Sequence, residues 1–309
     1  MASTHDIQII PVAGRIGAEV RGVKLSADLP QDAKQVVYDA WLKHKVLFFR
    51  GQSHLDDAQQ ETLTSLFGAQ PVAHPTVPSR QGTSFITELD STYGGRANSW
   101  HTDVTFVDAY PKASILRALV VPAAGGDTVW ANTASAYQDL TPELRALADK
   151  LWALHTNDYD YIQNRETSEA DRQRLHAQFT STGFETEHPV VHVHPETGER
   201  NLLLGHFLKK ILGVPTADSA RLFQLLQDHV TRLENTVRWH WQPGDVAVWD
   251  NRATQHYAIN DYGDQHRVVR RVTVDGSAPI SIDGRRSQTK KQVPQSALSR
   301  GEAGAVARA

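Results

Sequence analysis

Two short pieces of this chain, far apart in sequence, carry side chains that make chemical sense only side by side. Residues 100–106 read Trp-His-Thr-Asp-Val-Thr-Phe, and 153 positions after Asp103 stands His256, within Thr-Gln-His-Tyr. His101 and Asp103 are two apart, so on an extended strand both leave the same face. A distant strand delivering His256 would complete two imidazoles and one carboxylate on one side of a metal ion. That set suits iron(II) and leaves three adjacent positions open for a chelating cosubstrate and dioxygen. His-x-Asp alone is a weak signal, because any strand can carry it by chance.

The stretch beyond His256 strengthens it. Residues 266–274 read His-Arg-Val-Val-Arg-Arg-Val-Thr-Val and alternate like a strand. Arg267, Val269 and Arg271 then share one face, and Val268, Arg270, Val272 and Val274 the other. Two guanidiniums on one face of a barrel strand are costly unless an anion meets them. Their planar forks suit a carboxylate or a sulfate bidentately. An isolated pair of this kind would read as surface arginines. A pair 11 and 15 residues after a candidate metal histidine reads as an anion site.

The rest of the chain supplies a β-rich frame with helical insertions. Strands are expected over 7–12, 15–25, 46–49, 84–88, 114–121, 127–132, 237–241, 245–249, 254–259 and 267–274, with a hairpin over 190–204. Helices are expected over 31–45, 56–67, within 133–150, and over 217–234, where leucines and Val230 recur at helical spacing. Residues 158–187 are polar and charge-rich, which suggests a lid insert with a short helix near 169–179. Residues 1–276 read as one domain, and the basic stretch 277–309 as a flexible tail with little to bury. His188, His192 and His194 alternate on the hairpin but have no carboxylate at ligand spacing, so they read as surface or lid-contact residues.

Composition restricts the partners. There is no cysteine, so a metal must take histidine and carboxylate ligands. A net charge of −3 argues against nucleic acid. The lack of an 18-residue apolar run or an apolar signal core points to a cytoplasmic protein that does not bind membranes.

With the metal triad and the arginines in place, the chain resembles the iron(II)- and 2-oxoglutarate-dependent dioxygenases of the taurine dioxygenase type, and most closely their alkylsulfatase branch. The resemblance runs through residues 67–78, 98–106, 125–132 (Gly-Gly-Asp-Thr-Val-Trp-Ala-Asn) and 249–258, and it spans roughly 5–276. It implies a double-stranded β-helix, the jelly-roll core also indicated by the strand count. It assigns His101, Asp103 and His256 to iron, and Thr128 and Arg267 to the far carboxylate of 2-oxoglutarate. Arg271, His74 and the backbone amide of Val104 go to a substrate sulfonate or sulfate. It also implies dioxygen as oxidant and a homodimer or homotetramer.

Two departures bear on the substrate. Where taurine oxidation in this family uses an asparagine and a tyrosine, this chain has Ala97 and Val77. An ammonium there would lose hydrogen bonds and gain apolar walls. The expected substrate is therefore an alkyl sulfate ester, oxidised to aldehyde and sulfate. Taurine, an alkanesulfonate or another anionic substrate is the alternative, and a non-catalytic anion-binding barrel is a remote one.

Overall fold

The computed structural model describes residues 6–68, 70–93, 97–158 and 169–294. Its centre is an eight-stranded sheet built from β1 (Gln8–Pro11), β2 (Ala18–Arg21), β3 (Val46–Phe49), β4 (Pro71–Val72), β5 (Thr87–Asp90), β6 (Ala113–Val120), β14 (Val246–Asp250) and β16 (Val268–Val274). The order is β1-β2-β3-β14-β6-β16-β4, with β5 also on β16. A smaller sheet, β13-β7-β15 (Thr236–Trp239, Thr128–Asn132, Thr254–Ala258), faces it.

Alternation along the central strands separates two cores. On β14, Val246 and Val248 join Ile115, Val272 and Val274 against helix α1 (Gln31–His44) and the 3₁₀ turn that follows α2 (Asp57–Thr62). Ala247 and Trp249 point the other way, toward Trp130, Val237 and Trp239 of the smaller sheet. There Phe48 stacks on Trp239 with ring centroids 4.1 Å apart. Trp130 meets Trp249 edge-on at 5.7 Å. These two facing sheets are the jelly-roll core expected from the strand pattern.

Outside the smaller sheet lie α3 (Thr133–Gln138), α4 (Pro142–Ala148) and α6 (Thr216–Val230), packed with a three-stranded sheet β11-β10-β17 (Arg200–Leu202, Val191–Val193, Ile280–Ser281). A fourth sheet, β12-β8-β9-β18, combines Leu208–Ile211, Trp152–Thr156, Thr182–Pro189 and Gln288–Pro294. Helix α5 spans Glu169–Phe179, as the sequence indicated.

Three expectations change. The C-terminal tail is not free over 280–294: β17 pairs with β10, and β18 pairs with β9. Its sequence Gln-Thr-Lys-Lys-Gln-Val-Pro hides this, because β18 is held by backbone pairing and alternates partly buried with exposed residues rather than apolar with polar. The end of the supposed lid, residues 182–187, is an interior strand that buries Phe184 and Thr186; residues 159–168 and 295–309 lie outside the described residues. The histidine trio is not on the surface. His188, His192 and His194 are 0%, 3% and 1% exposed, and their rings meet Thr105, Arg252 and Asp250.

Each buried ring is satisfied internally. His188 Nε2 donates to Thr105 O (2.7 Å), His192 Nε2 donates to Arg252 O (2.8 Å), and His194 Nε2 pairs with Asp250 at 2.9 Å. Burial pushes His188 down to about 4 and His192 to about 3, and holds His155, beside His188, well below its ordinary value.

These neutral imidazoles tie stability to pH. The unfolded chain takes up protons below the ordinary histidine value of 6.5, whereas the folded chain does not, so stability falls as pH drops. Between about pH 7.5 and 5.5 each such histidine should remove about 1.4 kcal/mol, or about 4 kcal/mol for His155, His188 and His192 together. Urea unfolding at the two pH values checks this, and His192→Asn should recover about 1.4 kcal/mol of the loss.

Candidate active site

The site lies between the two facing sheets, at the end where β15 meets the segment after residue 97. His101 forms an isolated bridge with His256: each backbone N–H donates to the other's carbonyl, at 3.1 and 2.8 Å. His256 sits on β15 opposite Trp130, hence on its inner face. Asp103 is clamped through its backbone. The Asn251 side chain accepts from Asp103 N–H (2.8 Å) and donates to Asp103 O (3.0 Å).

The three side chains converge. His101 Nε2 and His256 Nε2 lie 3.6 and 3.7 Å from Asp103 Oδ1, with the two rings 4.0 Å apart. One ligand atom from each residue falls within 4.8 Å of the others. Among the described residues this is the one group of three such side chains placed to hold a metal ion. His101 Nδ1 is 2.8 Å from Ser99 O, a carbonyl that can only accept. The proton is therefore on Nδ1 and the Nε2 lone pair points into the cluster, as a ligating imidazole requires.

Asp103 must be ionised to serve. Burial opposes this, but Arg271, His256 and His101 bring its carboxyl well below the usual range. Ser114 donates to Oδ2 at 2.7 Å, and Arg271 Nη1 pairs with Oδ1. Arg271 is therefore engaged with the carboxylate rather than open, although its Nε is buried without a partner. His256 stays neutral: burial and the neighbouring His101 hold it well below the ordinary histidine value.

Arg267 differs from Arg271. It is 6% exposed, and among the described residues no carboxylate lies within ion-pair distance. Its Nε donates to Gly126 O at 3.2 Å, and burial pulls its pKa down. Gly126, at φ 72°, lets the side chain pass: a Cβ there would meet Arg267 Cδ at 3.2 Å. Thr128 is buried and its Oγ1 accepts from Trp241 Nε1 at 3.0 Å, which leaves the threonine proton for another acceptor.

On the other side of the metal cluster stands His74. Its Nδ1 accepts from the amides of Thr76 (3.2 Å) and Val77 (3.0 Å), so Nε2 carries the proton. Burial, with Arg271 nearby, pushes it down to about 3, so the ring is a neutral donor. Beside it lies an apolar cluster of Val104, Phe106, Phe179, Phe184 and Phe207, with Val77 packed against it. The His74 ring is 6.1 Å from Phe106 and 5.9 Å from Phe179. Val104 has φ 62°, a rare conformation for a β-branched residue.

Arg271 and His74 stand close to Asp103, Val104 follows it directly, and Arg267 lies against Gly126, two residues before Thr128; the Ala97 carbonyl accepts from Ala258 N–H at 3.0 Å at the rim of β15. Sequence reasoning missed Phe179, Phe184, Phe207, Ser114, Asn251 and Trp241. The aromatics are single apolar residues in polar surroundings and carry no local signal. Asn251 lay within a matched motif and could have been noticed.

Comparison with known proteins agrees with this geometry. Residues 8–273 match the model of the taurine catabolism dioxygenase TauD, TfdA family, and the chain belongs to that family. It is 61% identical to the alpha-ketoglutarate-dependent sulfate ester dioxygenase of Pseudomonas putida, over 93% of this chain and 95% of that protein. It is 58% identical to the alkylsulfatase of Acinetobacter baylyi, over 93% and 90% of the two chains. The crystal structure of a taurine dioxygenase from Burkholderia xenovorans superposes with a TM-score of 0.78 at 38% identity, covering 94% of this chain and 97% of that one.

The cluster itself can be tested without turnover. Titrating the apoprotein with iron(II) or zinc(II) should give one tight site. His101→Ala, Asp103→Ala or His256→Ala should each weaken it by more than about 100-fold, since even changes one shell further out cost 10–100-fold. Stoichiometric tight binding by His256→Ala would remove that residue from the ligand set.

Proposed function

We propose that the protein is an alpha-ketoglutarate-dependent dioxygenase that cleaves alkyl sulfate esters to aldehyde and sulfate. The observation that carries this reading is the meeting of two unlike environments beside the metal cluster. One is an anion receptor of His74, Arg271 and the Val104 amide; the other is the phenylalanine-lined wall. A sulfate head and an alkyl tail match that pairing. The 61% and 58% identical relatives, named for sulfate ester and alkyl sulfate chemistry, support it.

His101, Asp103 and His256 would hold iron(II). With alpha-ketoglutarate and dioxygen, the bound iron supplies the hydroxylation of the carbon that bears the sulfate, with succinate and carbon dioxide as co-products. Arg267 and Thr128 take the far carboxylate of alpha-ketoglutarate, which gives the buried guanidinium the anion that the described residues do not provide. Arg271 would share the compensation of Asp103 with a metal held there, so its unpartnered Nε and its Nη would be available as donors for the sulfate. His74 adds a neutral Nε2–H, so the receptor gains a hydrogen bond without a further buried charge.

The phenylalanine wall keeps water from the reacting carbon and lines the tail's path. The hydroxylated product has a hydroxyl and a sulfate on one carbon. It loses the hydroxyl proton, forms the C=O bond and breaks the C–O bond to sulfate, which leaves with the electron pair. Val77, packed in that wall, leaves nothing there to solvate an ammonium group.

The two arginines should separate kinetically. Arg267→Ala should raise KM mainly for alpha-ketoglutarate, and Arg271→Ala mainly for the sulfate ester. Each effect should be at least about tenfold, because losing a buried charge-assisted partner costs about 2–5 kcal/mol. Steady-state kinetics with each ligand varied in turn checks this, and equal effects on both ligands would mean one shared anion site.

The substrate class is tested with a panel of alkyl sulfates and sulfonates, scored by succinate and by released sulfate or sulfite. Medium-chain alkyl sulfates should release one sulfate per succinate. Taurine should be at least about tenfold less efficient, since an unpaired ammonium on apolar walls costs more than about 1.4 kcal/mol. A higher specificity constant for taurine would defeat the substrate assignment and leave the cosubstrate assignment standing.

A further inference from the structure

The turn after Asp103 is pinned from behind by the C-terminal strand, and no step of the chemistry uses those contacts. Residues 104–107 form a tight turn in which Val107 N–H donates to Val104 O (3.2 Å), and Val104 carries the strained positive φ. Such backbone strain persists only where the surroundings over-determine it. Three pins do so here. Ser287 Oγ lies 2.6 Å from His188 Nδ1, and His188 Nε2 lies 2.7 Å from Thr105 O.

Since the carbonyl can only accept, the ring proton is on Nε2, and the Ser287 hydroxyl donates to Nδ1. Thr186 Oγ1 donates to Phe106 O (2.6 Å) and is itself 3.0 Å from Thr289 Oγ1. Asp108 N–H donates to the same Thr289 hydroxyl at 3.2 Å.

The pins share one face of one sheet. Phe184, Thr186 and His188 alternate along β9, with Thr289 of β18 directly opposite Thr186. The face that supplies Phe184 to the apolar wall therefore also supplies the hydrogen bonds behind the turn. Val104 N–H finds no acceptor among the described residues, although the residue itself is only 4% exposed.

We propose that Ser287 and Thr289 are positioning residues: acting through His188 and Thr186, they latch the 104–108 turn in the strained form that keeps the Val104 amide unpaired for the substrate anion. The latch rests on the reading of Val104 as a sulfate donor. It makes the C-terminal segment a determinant of substrate affinity and not of metal or cosubstrate affinity. Its hydroxyls touch neither the metal ligands nor Arg267.

The test compares the full-length protein with Ser287→Ala, Thr289→Val and the double variant, using Ser287→Thr as the conservative control that keeps the hydroxyl. Amide hydrogen exchange over 104–108 in the metal-free protein should accelerate at least tenfold in the double variant and stay near wild type in Ser287→Thr. With iron loaded, KM for hexyl sulfate should rise at least fivefold, while KM for alpha-ketoglutarate and the metal affinity change less than twofold.

Unchanged exchange in a folded double variant overturns the latch. So does a parallel rise of both KM values with weakened metal binding, which would mean a generally loosened barrel. Exchange needs no substrate and decides the latch even if hexyl sulfate is not turned over, a result that would count against the substrate assignment alone.

Discussion

Keeping one carboxylate ionised in the middle of a β-sandwich is the constraint around which this molecule is arranged. Asp103 is 2% exposed, and an isolated buried carboxylate would protonate or unfold the site. Its compensation comes from every side: Ser114 from β6, Arg271 from β16, Asn251 from the end of β14 and the two imidazoles. The strands that close the two sheets are thus also the strands that hold the charge. A metal dication at the same point would take over part of Arg271's task. In this reading the arginine's two duties are successive: it stabilises the empty cluster and then receives the substrate anion.

The two arginines illustrate how burial without a partner differs from burial with one. Arg270, on the opposite face of β16, is matched by Asp57 and Glu88 in a partly buried ion-pair network that also takes in Arg117. Arg267 is buried deeper and has only a carbonyl. A cation in that state is tolerated when an anionic ligand restores the balance. Gly125 and Gly126 make room for it. A Cβ on the first would strike Asp261, and one on the second would crowd Arg267 itself.

How much of this was legible in the sequence depends on whether a residue's signal is local. The parity of His101 and Asp103, the arginine alternation on 267–274 and the Gly-Gly-Asp-Thr turn are all local patterns, and the structure brings them together. The burial of His188, His192 and His194 was not legible. An alternating polar trio reads the same whether its face meets water or protein, and the groups it meets here, Thr105, Asp250 and Arg252, are far away in sequence. Phe179, Phe184 and Phe207 come from a helix, a strand and a loop, and only the fold makes them one wall. The pairing of Arg271 with Asp103 was also invisible, since a sequence shows two candidate site residues and not their mutual compensation.

The C-terminal segment completes the layer behind the Val104 turn. His256, Thr128 and Arg271 belong to the two facing sheets, which are tied by tryptophan packing, and His101 is bridged to β15. Phe184 of the apolar wall, and Thr186 and His188 behind the Val104 turn, belong to the fourth sheet, which completes itself only when β18 adds to β9. Val77 is packed with the aromatics of β9 and α5, so the room beside His74 is apolar. A polar group there would face an alkyl chain and an ammonium would meet apolar walls, which is the physical argument that the organic half of the substrate is hydrophobic.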